Sequence, residues 1–463
     1  MSQAKQNSNG RLIAIIAMFF LFAMISFVTN LAAPIGTIWG YKFAGNSMLG
    51  MLGNMMNFLA YLFMGIPAGN LLVKIGYKKT ALWAMAIGAI GLFVQWLASI
   101  IGTETYLFNV GATVEENGVD VIRDYAVPAN FLIYLLGAFI CGFSVCMLNT
   151  VVNPMLNLLG GGGNRGNQLI QTGGSLNSLS ATLTPFFVGA LIGSLSPETT
   201  MGNVAPLLWI AMGVFVAAFI IISFVEIPEP NKTASGKKAV YTHSPWNFRH
   251  LVFGVIGIFF YVGIEVGIPG TLNFYLADQS STGAGVVGEA SKIAGAIVAI
   301  YWLLMLVGRF CSSFISGVVS SRAQIITVST VAIILVVAAI CTPKTTTLPV
   351  PEFIYAGNAQ VPVSAFLLIL CGLCTSVMWG GIFNLAVEGL GKYTAQASGI
   401  FMMMVVGGGI MPLIQNYIAG AAGYMTSYWL VVAMLAWILF YGLIGSKNVN
   451  TDIPVDDEVE NAI

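Results

Sequence analysis

About twelve long apolar runs divide this chain from end to end, each near the roughly 20 residues that a helix needs to cross a bilayer. They fall near 12–38, 48–73, 79–101, 130–158, 168–193, 204–226, 249–276, 287–318, 323–342, 362–387, 394–419 and 424–445. A soluble fold has nowhere to bury so many, because about half of a globular surface must still face water. The composition agrees, with 57% of 463 residues hydrophobic and only 8% charged, against about 25% charged in an ordinary soluble domain. Transmembrane barrels show short alternating segments instead, and disordered chains are poor in apolar residues. Lys+Arg and Asp+Glu balance at 18 each, with no long basic cluster, so the expected partner is a lipid bilayer and not nucleic acid. The sequence predicts an all-α membrane protein.

The longest central polar stretch, 227–248, reads EIPEPNKTASGKKAVYTHSPWN and has the composition of a linker. It separates a six-helix half, 1–226, from a second six-helix half, 249–445, and an acidic tail, 446–463, follows. Long polar loops after the third and ninth spans, near 102–129 and 343–361, repeat at matching places, as in duplicated transporter plans. Placing both termini in the cytoplasm puts Lys74, Lys78, Lys79, Arg165, Lys237, Lys238, Arg322 and Lys447 inside. Only Lys42, Arg123, Lys292 and Lys344 then lie outside. Positive charge collects on the cytoplasmic side of membrane proteins, so this orientation is expected.

Polar groups at membrane depth are costly and tend to face an interior path. The first half offers Asn30, Asn149, Asn153, Gln171 and Asn177; the second offers Glu265, Arg309, Trp379 and Asn384. Neutral amides match paired sugar hydroxyls as donors and acceptors, and a Trp face covers the apolar side of a pyranose ring. An anion carrier would need more interior cations than Arg309. Asn149 and Asn153 are four apart and share a helix face. Each amide also has the plainer reading of a helix–helix hydrogen bond. Glu265 lies deep in a span, among Gly263, Gly267, Pro269 and Gly270, which suggests a broken helix around a gating or coupling carboxylate.

Other chemistries find little support. The loop LLGGGGNRGNQL, 158–169, lacks the Lys-Ser/Thr ending and strand–loop–helix setting of a phosphate cradle. Cys371 and Cys374 form a C-x-x-C inside an apolar run, with no second pair and no nearby His, which is a packing pattern. No catalytic set, metal cluster or cofactor motif is present, so neither an enzyme nor a bound cofactor is expected.

Several stretches resemble the major facilitator superfamily. GNLLVKIGYKK after the second span is similar to its G-x-x-x-D-R-x-G-R-K loop through Gly69, Lys74, Gly76 and Lys78, with Val73 at the usual Asp. NTVVNP (149–154), NSLSATLTP (177–185), YVGIEVGI (261–268) with YWLLMLVGRF (301–310), and IFNLAVEGLGKYTAQASGIFMMMVVGGGIMP (382–412) resemble the fucose–galactose–glucose:proton symporter family. That resemblance implies a twelve-helix major facilitator fold, a sugar site between two six-helix halves, alternating access, proton-coupled uptake, a monomer and a bacterial inner membrane. The family carries carboxylates where this chain has Asn30, ahead of Pro34, and Asn149, so neither of these positions can titrate. Its fifth-helix Gln aligns with Gly174, and Gln171 lies one turn earlier. A family Tyr aligns with Trp379, and Glu265 matches a family Glu.

The expected function is import of a hexose or deoxyhexose bound by Asn30, Asn149, Asn153, Gln171, Asn177, Trp379 and Asn384, with Glu265 and Arg309 in coupling or gating. Proton symport ranks first. A uniporter, a Na⁺-coupled carrier or a transporter of another small solute are the alternatives. A sensor built on a transporter fold would carry an added cytoplasmic domain, for which the 18 residues after Gly445 leave no room.

Overall fold

The computed structural model describes residues 8–43, 47–116, 119–192, 198–229, 241–278, 280–352, 354–355 and 359–455. Half of the expected linker (230–240) and the end of the acidic tail (456–463) lie outside the described residues. The chain is a multi-pass helical membrane protein. Eleven of its described spans are long and apolar enough to cross a membrane. A twelfth long helix, α7 (Gly163–Ile192), has the length but not the apolarity. Its first half carries Asn164, Arg165, Asn167, Gln168, Gln171, Ser175, Asn177 and Ser178.

Two compact units make up the chain. The first comprises Met1–Met155 with Leu179–Asn231, and the second comprises Leu156–Ser178 with Lys232–Ile463. The end of α6 (Ala129–Leu159) and the polar first half of α7 are therefore packed with the helices of the second unit.

In the first unit the opening span comprises α1 (Ser8–Asn30) and α2 (Ala32–Lys42), which follow one another through Leu31 in right-handed helical geometry. After α3 (Ser47–Gly50) come α4 (Leu52–Ile75) and α5 (Tyr77–Leu97). The polar loop expected after the third span is an antiparallel hairpin, β1 (Tyr106–Glu116) on β2 (Val119–Pro128). Its base is seated on an aromatic cluster. Tyr125 meets Phe43 edge-on at 6.3 Å, and Phe131 packs against Trp39 at 4.7 Å and Phe43 at 4.9 Å. The last helix of this unit is α8 (Met201–Phe224).

Beyond α8, Glu229 turns back onto the start of α5. Its carboxylate accepts the N–H groups of Tyr77 at 2.8 Å and Lys78 at 3.0 Å. Both are donors that a helix start leaves unpaired. Gly76 has φ 88° at this corner, and a side chain there would strike the Glu229 carboxylate. Glu229→Ala is expected to cost about 1 kcal/mol, read as a lowered thermal midpoint of the purified protein.

The second unit adds α9 (Arg249–Ala277), α10 (Ala290–Ile315), α11 (Ser321–Cys341), α12 (Val363–Ala386), α13 (Thr394–Met403), α14 (Gly407–Ala422) and α15 (Tyr424–Phe440). A short antiparallel pair, β3 (Thr347–Pro349) and β4 (Gln360–Pro362), follows α11. It stands where the β1–β2 hairpin follows α5, so the loop echo read in the sequence carries over to structure. The break expected around Glu265 is absent, because α9 runs unbroken for 29 residues with Pro269 inside it. The nearby glycines serve packing instead. A Cβ on Gly263 would strike Met411 of α14, and one on Gly267 would strike Gln415.

Candidate functional site

The second unit holds an ion pair inside its helices. Arg309 on α10 reaches Glu265 on α9, Nη2 to Oε1 at 2.9 Å, with side-chain exposures of 12% and 15%. The same nitrogen lies 3.4 Å from the Tyr261 hydroxyl, one turn before Glu265. Nη1 donates to the Ser178 hydroxyl on α7 at 2.8 Å. The arginine stem crosses α7 over Gly174, where an added Cβ would sit 3.6 Å from Cδ. Removing water from two charges is expensive, and the pair persists because each charge finds several polar partners. Asn177 is half-buried beside Ser178 on the same helix.

Trp379 on α12 closes this group from another side. Its ring stands edge-on to Tyr261 at 6.3 Å and to Phe401 at 6.1 Å, and it is half-buried. Gly380 beside it lets α7 approach closely. A Cβ there would lie 2.8 Å from Gln171 Nε2 and 3.1 Å from Asn167 Oδ1. Gln171 donates to the Val377 carbonyl at 2.9 Å. Gln171, Glu265, Arg309 and Trp379 are thus linked through Ser178, Gly174, Tyr261 and Gly380, with Asn177 alongside on α7. Asn384 lies five residues beyond Trp379 on α12 and belongs to a different group. Its Oδ1 accepts from Asn157 at 2.5 Å, and its Nδ2 donates to Ser321 at 2.9 Å.

In the first unit Asn149 donates to the Tyr61 hydroxyl at 2.8 Å and to the Val145 carbonyl at 3.2 Å. Asn153 is fully buried and donates to the Asn149 carbonyl at 2.9 Å. Asn30 donates within its own helix, to the Ser26 carbonyl at 2.8 Å and its hydroxyl at 3.2 Å.

Sequence reasoning missed Tyr61, Asn157 and Ser178. Asn157 had a signal, since 149, 153 and 157 form an i, i+4, i+8 stripe on one helix face. Tyr61 and Ser178 had none, being common residue types whose partners lie far off in sequence. No group of three or more His, Cys, Asp or Glu side chains suited to a metal occurs among the described residues. All six cysteines are unpaired, and Cys371 and Cys374 are buried.

A multi-pass bundle with a polar, ion-paired interior defines a membrane transporter. The chain belongs to the Major Facilitator Superfamily, which it matches over residues 13–412. A glucose/galactose transporter of Brucella abortus (biovar 1, strain 9-941) is 30% identical over 454 residues, covering 96% of this chain and 97% of that one. The L-fucose-proton symporter of Escherichia coli K12 is 21% identical, covering 92% and 90%. The crystal structure of the major facilitator transporter FucP in its outward conformation shares the fold. Its TM-score is 0.74 at 18% identity, over 95% of this chain and all of that one.

Proposed function

We propose that the protein imports a monosaccharide, a hexose or deoxyhexose, by alternating access as a proton symporter. It acts as a monomer in a bacterial cytoplasmic membrane with both termini inside. The relatives named for glucose, galactose and fucose support the substrate class. The observation that carries the reading is the Trp379–Tyr261 aromatic corner next to the amides of α7, with a single ion pair behind it. Such a lining suits a neutral polyhydroxylated ring and leaves little for an anion or a greasy drug.

In this reading Trp379 stacks on the sugar, and Asn30, Asn149, Asn153, Gln171, Asn177 and Asn384 exchange their present hydrogen bonds for sugar hydroxyls. Asn30 and Asn149 bind without titrating. The proton then travels on Glu265, whose charge is held by Arg309.

Uptake into proteoliposomes tests this directly, with labelled glucose, galactose, fructose, fucose and mannose and an inward proton gradient imposed or withheld. Accumulation of one of them above equilibrium only with the gradient is expected. Equilibration alone would make the protein a uniporter, and no movement of any sugar would remove the substrate class. In the same assay Asn149→Ala should weaken apparent sugar affinity by roughly 10-fold or more, since it removes one partner and strands the Tyr61 hydroxyl, while the protein stays in the membrane.

A further inference from the structure

Between α9 and α15 of the second unit runs an apolar groove of about 450 Å³. Phe260 of α9 and Trp437 and Phe440 of α15 form its walls, and Met411 of α14 and Met434 are the deeply buried part of its lining. Ala433 and Ala436 complete it, and their short side chains leave the space open. Its one polar side-chain atom, Trp437 Nε1, is turned away to the Phe253 carbonyl at 3.4 Å. Every lining residue belongs to a membrane-spanning segment. The polar groups of this unit gather in its interior, so an apolar groove on these helices faces acyl chains.

Its length matches one leaflet. Along α15 the lining runs through Leu430, Ala433, Met434, Trp437 and Phe440, one helix face. Those ten residues span about 15 Å at 1.5 Å each, half of the roughly 30 Å hydrocarbon core.

The Phe440 end of the groove carries positive charge. Phe253 packs on Trp437 at 5.8 Å and on Phe440 at 5.6 Å, and the Arg249 guanidinium lies 5.8 Å over the Phe253 ring. Stacking of that kind uses the face of the guanidinium. The N–H fork at its edge remains, in the geometry that matches a phosphate bidentately. Arg249 is exposed and forms no ion pair among the described residues. It is also the first residue of its span, the level at which lipid headgroups begin. Lys447, exposed just beyond Gly445, adds a second cation at this end, and a Cβ on Gly445 would touch Phe253 at 3.1 Å.

We propose that this groove seats an anionic phospholipid, with its phosphate on Arg249 and one acyl chain between α9 and α15. The proposal goes beyond the sugar-transport reading and does not depend on it. An ordinary lipid-facing surface takes any headgroup. Here a leaflet-long apolar seat and a guanidinium at headgroup level stand in line, which is the order of polarity along a phospholipid.

The test takes the full-length protein in detergent with equimolar phosphatidylglycerol and phosphatidylethanolamine, and counts the lipids that stay bound by native mass spectrometry. One phosphatidylglycerol per chain should be retained about fivefold over phosphatidylethanolamine, the scale of one arginine at a membrane surface. Arg249→Gln should bring the two lipids to parity, and Arg249→Lys should restore part of the preference. Ala433→Phe fills the groove from an exposed position and should expel the lipid with Arg249 still in place; Ala436→Phe asks the same question should that variant not fold. Equal retention of the two lipids by the wild type would make the groove an ordinary lipid-facing surface and overturn the proposal. A preference undiminished in Arg249→Gln would overturn it by putting the lipid elsewhere. A preference kept in the groove-filling variant would overturn it too, by reducing Arg249 to a surface charge with no seat behind it.

Discussion

Arg309→Leu is expected to abolish sugar transport and to lower the protein's stability by about 3–5 kcal/mol, the usual cost of stranding one member of a buried ion pair. The stranded group would be Glu265, left with no other cation within bonding distance among the described residues. Removing both charges together, Arg309→Leu with Glu265→Leu, should restore most of the stability and none of the gradient-driven uptake, because no isolated charge remains. Glu265→Gln separates coupling from passage. Sugar exchange down its own gradient should continue at a substantial rate, whereas proton-driven accumulation should disappear. Thermal midpoints of the four proteins, with exchange and accumulation assays beside them, read all of this. An Arg309→Leu protein as stable and active as the wild type would end the assignment of the pair to coupling. Unchanged accumulation by Glu265→Gln would clear the carboxylate of the proton.

The spans were legible because the bilayer imposes one length and one polarity on every helix that faces it. Where a helix does not have to face lipid, the reading loosens. The fifth span was read from position 168, yet α7 begins at Gly163 and carries its amides into the second unit. Its polar residues look like a helix end in the sequence and act as interior contacts in the structure. Proline misled. Pro269, with glycines around it, does not interrupt α9, and the span that holds Pro34 runs from Gly10 to Lys42 with Leu31 in right-handed helical geometry. A proline removes one hydrogen bond wherever it stands, but the neighbouring helices decide whether the chain parts there. Beside α9 they fill the space that the glycines leave, through Met411 and Gln415.

The candidate site was half legible for the same reason. Residue types that are expensive in a membrane stand out singly, so Glu265 and Arg309 were each noticed. Their pairing was not, because 44 residues separate them and helix order alone does not say which faces meet. Gly174 is the clearest case. In the sequence it reads as the loss of a glutamine that the symporter family carries. In the structure it lies under the Arg309 stem, an added Cβ being 3.6 Å from Cδ, an ordinary contact. The guanidinium bridge from α10 to Ser178 ties the polar helix to the ion pair.

Trp379→Ala should cut sugar uptake by roughly 30-fold or more at low substrate concentration, the scale of losing a buried aromatic anchor, with little change in the amount of protein in the membrane. Three contacts set this expectation. The indole meets Tyr261 and Phe401 edge-on, so its plane is fixed without a ligand and little ordering is left for binding. Gly380 follows directly and admits the Gln171 amide, which brings hydroxyl partners to the edge of that plane. Tyr261 links the ring to Arg309, so a sugar stacked on Trp379 lies within two side chains of the ion pair. Trp379→Tyr keeps a face and should retain most of the transport rate at saturating sugar while raising KM, and it should shift the preference among hexoses. Trp379→Ala also leaves a void beside Phe401, so its thermal midpoint must be compared with that of Phe401→Ala, which opens space without removing the platform. Uptake lost equally in both would make Trp379 a packing residue. Uptake lost in Trp379→Ala and largely kept in Phe401→Ala would give the indole a direct part in holding the sugar.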